Sequence, residues 1–213
     1  MKRNEIVLCL LFLLPAFARS QPGSSVPFKR HEFFLGYGRA QSYERQVLGY
    51  VNRIGSEPEP LPAPTRFFDF GYYLNFTRNM ALGFQGNRWW KTFPDAYAVY
   101  QNGVLVRYLP VHMTVTNVGL RGRVIPFPGI AEPYAFFGGN RITGSLTSEV
   151  RETAKLKGFT FGYGGGLNVH LEPWVSLGLE VLRQFGAAHW EKGYTDEFDP
   201  SLLAVTGHIA FRF

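Results

Sequence analysis

The chain contains very little cysteine and, after its first twenty residues, no long apolar run. Its only cysteine is Cys9, so the rest of the chain has neither a disulfide nor a thiolate nucleophile. No later segment reaches the roughly eighteen consecutive apolar residues of a transmembrane helix. The five histidines are dispersed and match no metal-ligand spacing. These features argue against a disulfide-stabilised domain, a helical membrane protein and a metal site, and we expect no cofactor.

The beginning of the chain is typical of an export signal. Two basic residues precede nine apolar residues at 6–14, and small residues follow where a signal peptidase cleaves. This apolar run is too short to cross a bilayer core, which needs about twenty residues. Cleavage after Ala18 and cleavage after Ser20 fit equally well. We therefore predict a signal peptide over residues 1–20, followed by a flexible lead-in over residues 21–31.

The charge of the exported part is mildly basic. Removing the three basic residues and the one acidic residue of segment 1–20 from the totals of 22 and 16 leaves a net charge of about +4. The basic residues are scattered rather than clustered, and an exported chain meets no nucleic acid by default. We therefore interpret this charge as solvated rims and loops that face anionic lipid headgroups, and we expect no nucleic-acid partner.

The last thirteen residues, 201–213, alternate strictly between two kinds of side chain. Side chains along a β-strand point to opposite faces with a period of two residues, so the pattern predicts a strand with one apolar face. In a transmembrane barrel such a face contacts lipid. The apolar face holds Leu203, Val205, Gly207, Ile209, Phe211 and Phe213, and the other face holds Ala204, Thr206, His208, Ala210 and Arg212.

Seven further segments show strand patterns, and the connections between the eight strands alternate in length. Long connections alternate with short turns, as is typical of outer-membrane barrels. The predicted strands cover residues 32–40, 66–77, 80–90, 104–125, 134–143, 158–171, 174–185 and 201–213. The long connections are 41–65, 91–103, 144–157 and 186–200, and the short turns are 77–80, 126–133 and 172–173.

Local features of three strands lead to further expectations. In strand 104–125 the apolar parity changes after Val115, which predicts a bulge near residues 116–117. The two tryptophans at 89–90 stand at the end of their strand, and tryptophan is enriched at membrane interfaces. The alternation of residues in strand 134–143 does not show which side chains point outward and which point inward.

The face opposite the apolar, aromatic-rich face of the strands distinguishes a membrane barrel from a soluble one. In a soluble, lipocalin-like barrel that face would be the outer surface, and its Gly, Ala, Thr, Asn, His and Glu residues are too small and polar for that role. We therefore predict an all-β fold, an eight-stranded antiparallel transmembrane β-barrel over residues 32–213. An even number of strands places both termini on the periplasmic side.

The ending Phe211-Arg212-Phe213 resembles the C-terminal signature of bacterial outer-membrane barrels, although His208 stands where that signature often has glycine. The whole mature chain resembles the small outer-membrane β-barrels of the OmpA/OmpX type, and segment 164–180 is typical of their penultimate hairpin. The resemblance implies a place in the bacterial outer membrane, contact with outer-membrane lipid and lipopolysaccharide, and recognition of Ile209, Phe211 and Phe213 by the barrel-assembly machinery. It implies little about function, because this fold hosts many functions.

Polar residues of the inward face form the first candidate site. An eight-stranded barrel is only wide enough for its interior to be filled by side chains. An ion or proton path is one interpretation, and a packed polar core in which every charge is paired is the simpler one. His208 and Arg212 lie on the strand next to that of Glu180, so we expect charge-paired hydrogen bonds between them across the lumen. The expected inward residues are Asp69, Asn75, Gln85, Asn168, His170, Glu180, His208 and Arg212.

A lipid-modifying site is the second candidate. Such a site needs a hydroxyl nucleophile and a base within hydrogen-bond reach. His112 and Thr114 form the best pair, with Glu180 or Asp69 as a group that would orient the histidine. No serine lies two residues from any histidine, so the His-x-Ser pattern of the lipid A deacylases is missing.

Aromatic residues of the long connections form the third candidate site, since aromatics among charges suit a protein or glycan ligand. These residues are Tyr43, Tyr50, Trp190 and Tyr194. We predict a non-catalytic outer-membrane protein with a structural or adhesion-type binding role carried by its extracellular loops. A conduit for small hydrophobic solutes of the OmpW type is the alternative, and a lipid-modifying enzyme is a more remote one.

Overall fold

Eight long strands make up most of the chain that this computed structural model describes, which is residues 27–42, 65–101, 104–148, 154–191 and 197–213. The predicted signal peptide, the first six residues of the lead-in and most of connection 41–65 lie outside these ranges. The strands are β1 His31–Ser42, β2 Thr65–Asn75, β3 Met80–Gln101, β4 Val104–Val124, β5 Ala131–Ser148, β6 Ala154–Glu172, β7 Val175–Glu191 and β8 Leu202–Arg212. A two-residue strand, Glu197–Phe198, also pairs with β7.

The strands form one antiparallel sheet that closes on itself. Each strand pairs with its neighbour in sequence, and β1 completes the circle by pairing with β8 from Glu32↔Arg212 to Ser42↔Leu202. The amides of His31 and Phe213 each donate to the other residue's carbonyl at 3.0 Å, so the pairing continues to the end of the chain. The predicted fold class, an eight-stranded antiparallel β-barrel, is confirmed. No helix in the described ranges is long and apolar enough to cross a membrane.

Large apolar side chains cover the outside of the barrel on all eight strands. Phe137, Leu120 and Leu179 are 65, 61 and 58 % exposed. Apolar surface is unfavourable in water by roughly 25 cal/mol per Å² and is at home against lipid, so this barrel is a transmembrane one. The band includes Phe33, Leu35, Tyr37, Tyr72, Leu74, Leu82, Phe84, Val118, Leu120, Phe137, Phe159, Phe161, Tyr163, Leu177, Leu179, Phe185, Leu203 and Val205.

The register of β4 shows that the predicted bulge is wrong. Residues 114–118 pair with β3 and with β5 without any shift. Val111, Met113 and Val115 point into the barrel and are almost fully buried. The parity changes because the interior itself changes from apolar at Val115 to polar at Asn117. An apolar residue on this strand therefore does not indicate contact with lipid.

The strand β5 is apolar on both faces, which explains why its alternation assigned no facing. Tyr134, Phe136 and Ile142 are buried inside the barrel, whereas Phe137 points outward. The position of each side chain in the sheet follows from the register with β4 and β6 rather than from its hydrophobicity.

Three predicted long loops are shorter than expected because the strands continue into them. β3 and β4 run on as a paired hairpin to Gln101 and Val104, through most of the predicted loop 91–103. β5 ends at Ser148 and β6 begins at Ala154, which reduces the predicted loop 144–157 to its middle. β7 similarly continues into the predicted loop that began at residue 186.

We predict that a single methyl group at Gly38 weakens the seam between β1 and β8. An added Cβ at Gly38 would lie 1.9 Å from the carbonyl oxygen of Val205, so the two strands must separate. Gly38→Ala should lower the free energy of unfolding by about 1–3 kcal/mol, measured by urea titration in lipid vesicles. Gly207→Ala is the matched control on the same seam, because its Cβ would meet nothing closer than 3.9 Å. Equal effects of the two variants would contradict this account.

Candidate functional site

The interior of the barrel is divided into an apolar layer and a charged layer. We call the end with the chain termini and the short turns the turn end, and the opposite end the loop end. The apolar layer fills the loop-end half, where Phe67, Trp89 and Val115 are almost fully buried. Trp89 therefore points inward rather than toward the membrane interface. The other members of this layer are Ala40, Val111, Met113, Ile142, Leu156, Leu182, Ala188, Leu202 and Ala204.

A first ion network lies at the turn end and joins five strands. Arg123 forms a double hydrogen bond with the Glu32 carboxylate, and its Nη2 also donates to Asn75 Oδ1 at 3.2 Å. Arg212 donates from Nε to Glu32 Oε2 at 2.7 Å and from Nη2 to Glu132 Oε2 at 2.6 Å. The two arginines thus share one buried carboxylate, and Glu132 compensates the second positive charge.

A second ion network, centred on Arg121, lies between the first network and the apolar layer. Arg121 Nη2 donates to Glu180 Oε2, and its Nη1 donates to Gln85 Oε1 at 2.9 Å. Asp69 Oδ2 lies 3.7 Å from the same Nη1. The Tyr134 hydroxyl donates to Glu180 Oε2 at 3.0 Å, which satisfies a further lone pair of this carboxylate. These side chains are withdrawn from water, and their hydrogen bonds replace part of the lost solvation. Asp69 Oδ1, Arg121 Nε and Glu180 Oε1 have no hydrogen-bond partner among the described residues.

Aromatic rings enclose the two guanidinium groups. The Cζ of Arg121 lies 3.3 Å from the centroid of the Phe136 ring, and the Cζ of Arg123 lies 4.0 Å from that of Tyr73. A cation over a ring face is attracted by the ring quadrupole, most strongly where water is excluded. The rings therefore hold the arginines in place as well as filling the interior.

The structure places the sequence-predicted interior residues in three groups rather than one. Asp69, Gln85 and Glu180 surround Arg121. Arg212 and Asn75 belong to the first network, and His170 Nε2 lies 2.9 Å from Glu132 Oε2. His208 Nε2 and Asn168 Oδ1 form a separate hydrogen bond of 2.7 Å. The expected hydrogen bonds of Glu180 with His208 and Arg212 are wrong. Glu180 lies opposite Thr206, six residues from Arg212 along β8, and its partners are Arg121 and Tyr134 across the lumen.

Four charged members of the networks were missed by the sequence-based prediction, namely Glu32, Arg121, Arg123 and Glu132. A signal for the arginines is present, since Arg121 and Arg123 alternate with Leu120 and Val124, which face lipid. Once those two residues are assigned to the outside, the arginines must be inside. Glu32 similarly has the parity of inward-facing Phe34.

His112 and Thr114 lie on the outer surface of β4, in contact with neither proposed orienting group. Asp69 and Glu180 are inside the barrel, so the wall separates them from His112, and the predicted catalytic arrangement is wrong. The partner of His112 Nδ1 is Thr92 Oγ1 at 3.0 Å. The described residues contain no group of three or more His, Cys, Asp or Glu that could hold a metal ion.

The structure describes only some of the remaining candidate residues. Trp190 is half-buried and packs against the apolar layer, while Tyr43, Tyr50 and Tyr194 lie outside the described residues. Ile209, Phe211 and Phe213 share the outward face of β8. The ring of Phe211 stacks on that of Trp174 with centroids 6.5 Å apart, and the ring of Phe213 stacks on that of His31 at 5.6 Å. Recognition of these three residues by an assembly machinery stays a prediction.

Solved structures of outer-membrane barrels superpose on almost the whole chain. Neisserial surface protein A matches with a TM-score of 0.58 at 7 % identity, covering 86 % of this chain and 97 % of that one. Ail, the attachment invasion locus protein of Yersinia pestis, matches with a TM-score of 0.51 at 12 % identity, covering 87 % and 100 %. The N-terminal β-barrel domain of Pseudomonas aeruginosa OprF matches with a TM-score of 0.51 at 12 % identity, covering 87 % and 98 %.

This is the fold of the small bacterial outer-membrane β-barrels. The resemblance drawn from the sequence is confirmed at the level of the fold, and at these identities no site residue transfers from one chain to another. No protein-family model and no curated protein matches the sequence. The function must therefore be argued from the interior and the surfaces of this barrel.

We predict that the barrel depends strongly on the second ion network. Arg121→Met leaves Glu180 and Asp69 buried without their cation, so the free energy of unfolding should fall by about 3–5 kcal/mol in urea titrations. Adding Glu180→Leu removes one of the uncompensated charges and should recover part of the loss.

The exposed ion pair of Lys157 with Glu191 provides the control. Glu191→Gln should leave the free energy of unfolding nearly unchanged, because water and salt screen a surface pair. A similar loss in Arg121→Met and Glu191→Gln would show that burial of the network contributes nothing.

Proposed function

We propose that the chain is a non-catalytic protein of the bacterial outer membrane whose barrel supports a ligand-binding surface at the loop end. The observation that carries this proposal is a sealed barrel from which one hairpin projects far beyond the interior layers. A sealed interior favours a supporting role for the barrel, and a projecting hairpin offers surface for contact with a partner. The structural similarity to outer-membrane proteins, with TM-scores of 0.58 and 0.51, supports a location in the outer membrane.

The interior supports a sealed barrel rather than a conduit. Phe67, Ile142 and Leu202 are 0 % exposed at the loop end, so solvent does not reach this layer. Glu32 and Arg121 are 1 % exposed at the turn end, within the two ion networks. An ion crossing the barrel would have to displace both layers. A small solute would likewise have to separate charges that are costly to leave unpaired.

The projecting hairpin consists of the loop-end halves of β3 and β4. The pair Trp89↔Val115 belongs to the apolar layer, and pairing continues from there to Gln101↔Val104. At about 3.3 Å per residue, the twelve residue-to-residue steps from 89 to 101 extend the strands by roughly 40 Å along their length. The register shifts between Phe93 and Tyr97, a segment that contains Pro94, which has no amide hydrogen to donate.

The charge of the hairpin indicates the class of ligand. Between residues 90 and 114 the sequence contains Lys91, Arg107 and His112 but only one acidic residue, Asp95. Arg107 is exposed on the projecting part of β4. This slight excess of basic residues, in a segment whose sequence is rich in aromatic residues, supports a sulfated or otherwise anionic glycan as the ligand. Ail, which has the same fold, has been crystallised with the heparin analogue sucrose octasulfate. We therefore propose an adhesion-type function toward anionic glycans.

The outer surface near His112 supports the absence of catalysis. His112 has a hydroxyl neighbour in Thr92, yet the outward-facing side chains that the structure describes on β2, β3 and β4 include no carboxylate. A histidine that activates a hydroxyl normally has such a group to orient it.

We predict that shortening the hairpin abolishes glycan binding without unfolding the barrel. Replacing residues 94–110 with Asn-Gly keeps the pair Phe93↔Val111 and removes the projecting part. Binding of vesicles that carry the protein to immobilised heparin should fall at least tenfold. Replacing residues 149–153 with Asn-Gly is the control and should leave binding within about twofold. Retained binding in the first variant, with an unboiled gel mobility that still differs from the boiled one, would contradict the proposal.

We predict that the protein conducts no steady ionic current in a planar bilayer, because both interior layers block the path. Single-channel recording of the purified barrel at moderate voltage tests this expectation. A stable conductance step, suppressed by a small hydrophobic solute, would contradict a sealed lumen and support the conduit instead.

A further inference from the structure

We propose that the outer surface of β1, β2 and β3 at the loop end binds the phosphate groups of a membrane glycolipid of the lipid A type. This inference rests on the outer-membrane location proposed above, with the loop end outside the cell. It concerns the lipid-facing wall at the base of the hairpin and does not involve residues 94–110, the projecting part to which glycan binding is assigned.

Three arginines come together on this wall. Arg39 of β1 and Arg66 of β2 are direct cross-strand partners, and Arg66 pairs in turn with Trp90 of β3. Arg88 lies two residues before Trp90 and therefore sits diagonally from Arg66 on the same face. Directly opposed residues have Cβ atoms about 5 Å apart, and diagonal ones are within reach of long side chains. All three side chains are exposed.

The charges of these arginines are not compensated within the described part of the protein. None of them forms a hydrogen bond or an ion pair with a described residue, whereas Lys157 on the opposite wall pairs with Glu191. The outward-facing side chains described on β1 to β4 include no aspartate or glutamate. Like charges placed directly opposite each other destabilise a sheet. An anion bound between them offsets that repulsion, which makes the cluster complementary to a ligand with more than one negative charge.

The level of the arginines matches the headgroups of a membrane. On the turn-end side the same face carries Tyr37, Phe68 and Phe70, which continue into the apolar band. Arg39 lies eight residues from His31, or roughly 20 Å across the membrane for a strand tilted by about 40°. Acyl chains can therefore cover the aromatic rings while phosphates reach the arginines directly beyond them.

A groove of about 530 Å³ adjoins the cluster on the same wall. Arg88 and Trp90 line it together with Phe68 at its apolar side. Thr92 and His112 add polar atoms, held together by their 3.0 Å hydrogen bond. A headgroup that combines phosphates with sugar hydroxyls fits this mixture, since arginine binds phosphate through paired N–H donors and aromatic and hydroxyl groups contact sugars. A free phosphate ion would use neither the groove nor the apolar wall below.

Lipid retention tests the assignment. The purified protein is incubated in detergent with bisphosphorylated lipid A, with its dephosphorylated form or with inorganic phosphate, and bound species are counted by native mass spectrometry. We expect the bisphosphorylated lipid to be retained at least tenfold better than the dephosphorylated one. Arg66→Gln with Arg88→Gln should remove that preference, and Arg66→Lys with Arg88→Lys should keep part of it, because charge remains but paired donors are lost.

The control removes equal charge elsewhere. Arg78, in the turn after β2, and Arg141, alone on the outer wall of β5, are exposed arginines outside the cluster. Arg78→Gln with Arg141→Gln should change lipid retention less than twofold. Equal losses in the two double variants would show general charge attraction, and equal retention of both lipid forms would show binding through acyl chains alone. Tight retention of inorganic phosphate, or dimers that persist without lipid, would identify another occupant. Each of these results would overturn the proposal.

Two readouts separate this inference from the proposed function. The shift in gel mobility on boiling reports whether each variant still forms the barrel. The hairpin-shortened variant should retain the bisphosphorylated lipid, and the Arg66→Gln, Arg88→Gln variant should retain heparin binding. If the protein prefers the bisphosphorylated lipid but does not bind heparin, only the glycan function is contradicted. If it binds heparin but shows no preference for the bisphosphorylated lipid, only the lipid site is contradicted.

Discussion

Closure of the sheet is the constraint on which the rest of this structure depends. Inside a bilayer no water is available to satisfy backbone amides and carbonyls, so a sheet can span it only without free edges. The pairing of β1 with β8, which continues to His31 and Phe213, removes both edges. Once the sheet is closed by eight strands, its alternating side chains must divide between lipid and a narrow interior.

That narrow interior determines how the charges are arranged. Arg212 meets its direct cross-strand partner Glu32, and the long charged side chains also extend to partners across the barrel. Arg121 reaches Glu180, and Arg212 reaches Glu132, each from a distant strand. The apolar layer at the loop end adds a second seal. Taken together, the layers support our proposal that ligands bind at the surfaces of the barrel rather than in its lumen.

The outer surfaces of the barrel differ in chemistry because they face different surroundings. The apolar band meets acyl chains, and the arginines beyond it meet the level of the headgroups. The hairpin extends beyond both, and our proposal assigns the contact with a glycan to it. Because β3 and β4 are long enough to pass through all of these zones, this one antiparallel pair contributes to each of them.

The sequence by itself determined the strand number, the order of connections and the lipid-facing stripe, because these follow from a period of two and from turn residues. The sequence pattern led to wrong assignments where the polarity of a side chain did not match the face of the strand on which it lies. Val111, Met113 and Val115 are apolar yet point inward, and the hairpin was assigned to a loop although Asn102 and Gly103 are typical of a two-residue turn. Only the tertiary structure decided which charges pair, which layer Trp89 occupies and which arginines share a face. Those relations depend on the register and closure of strands far apart in the chain, and hydrophobicity along one strand carries no record of them.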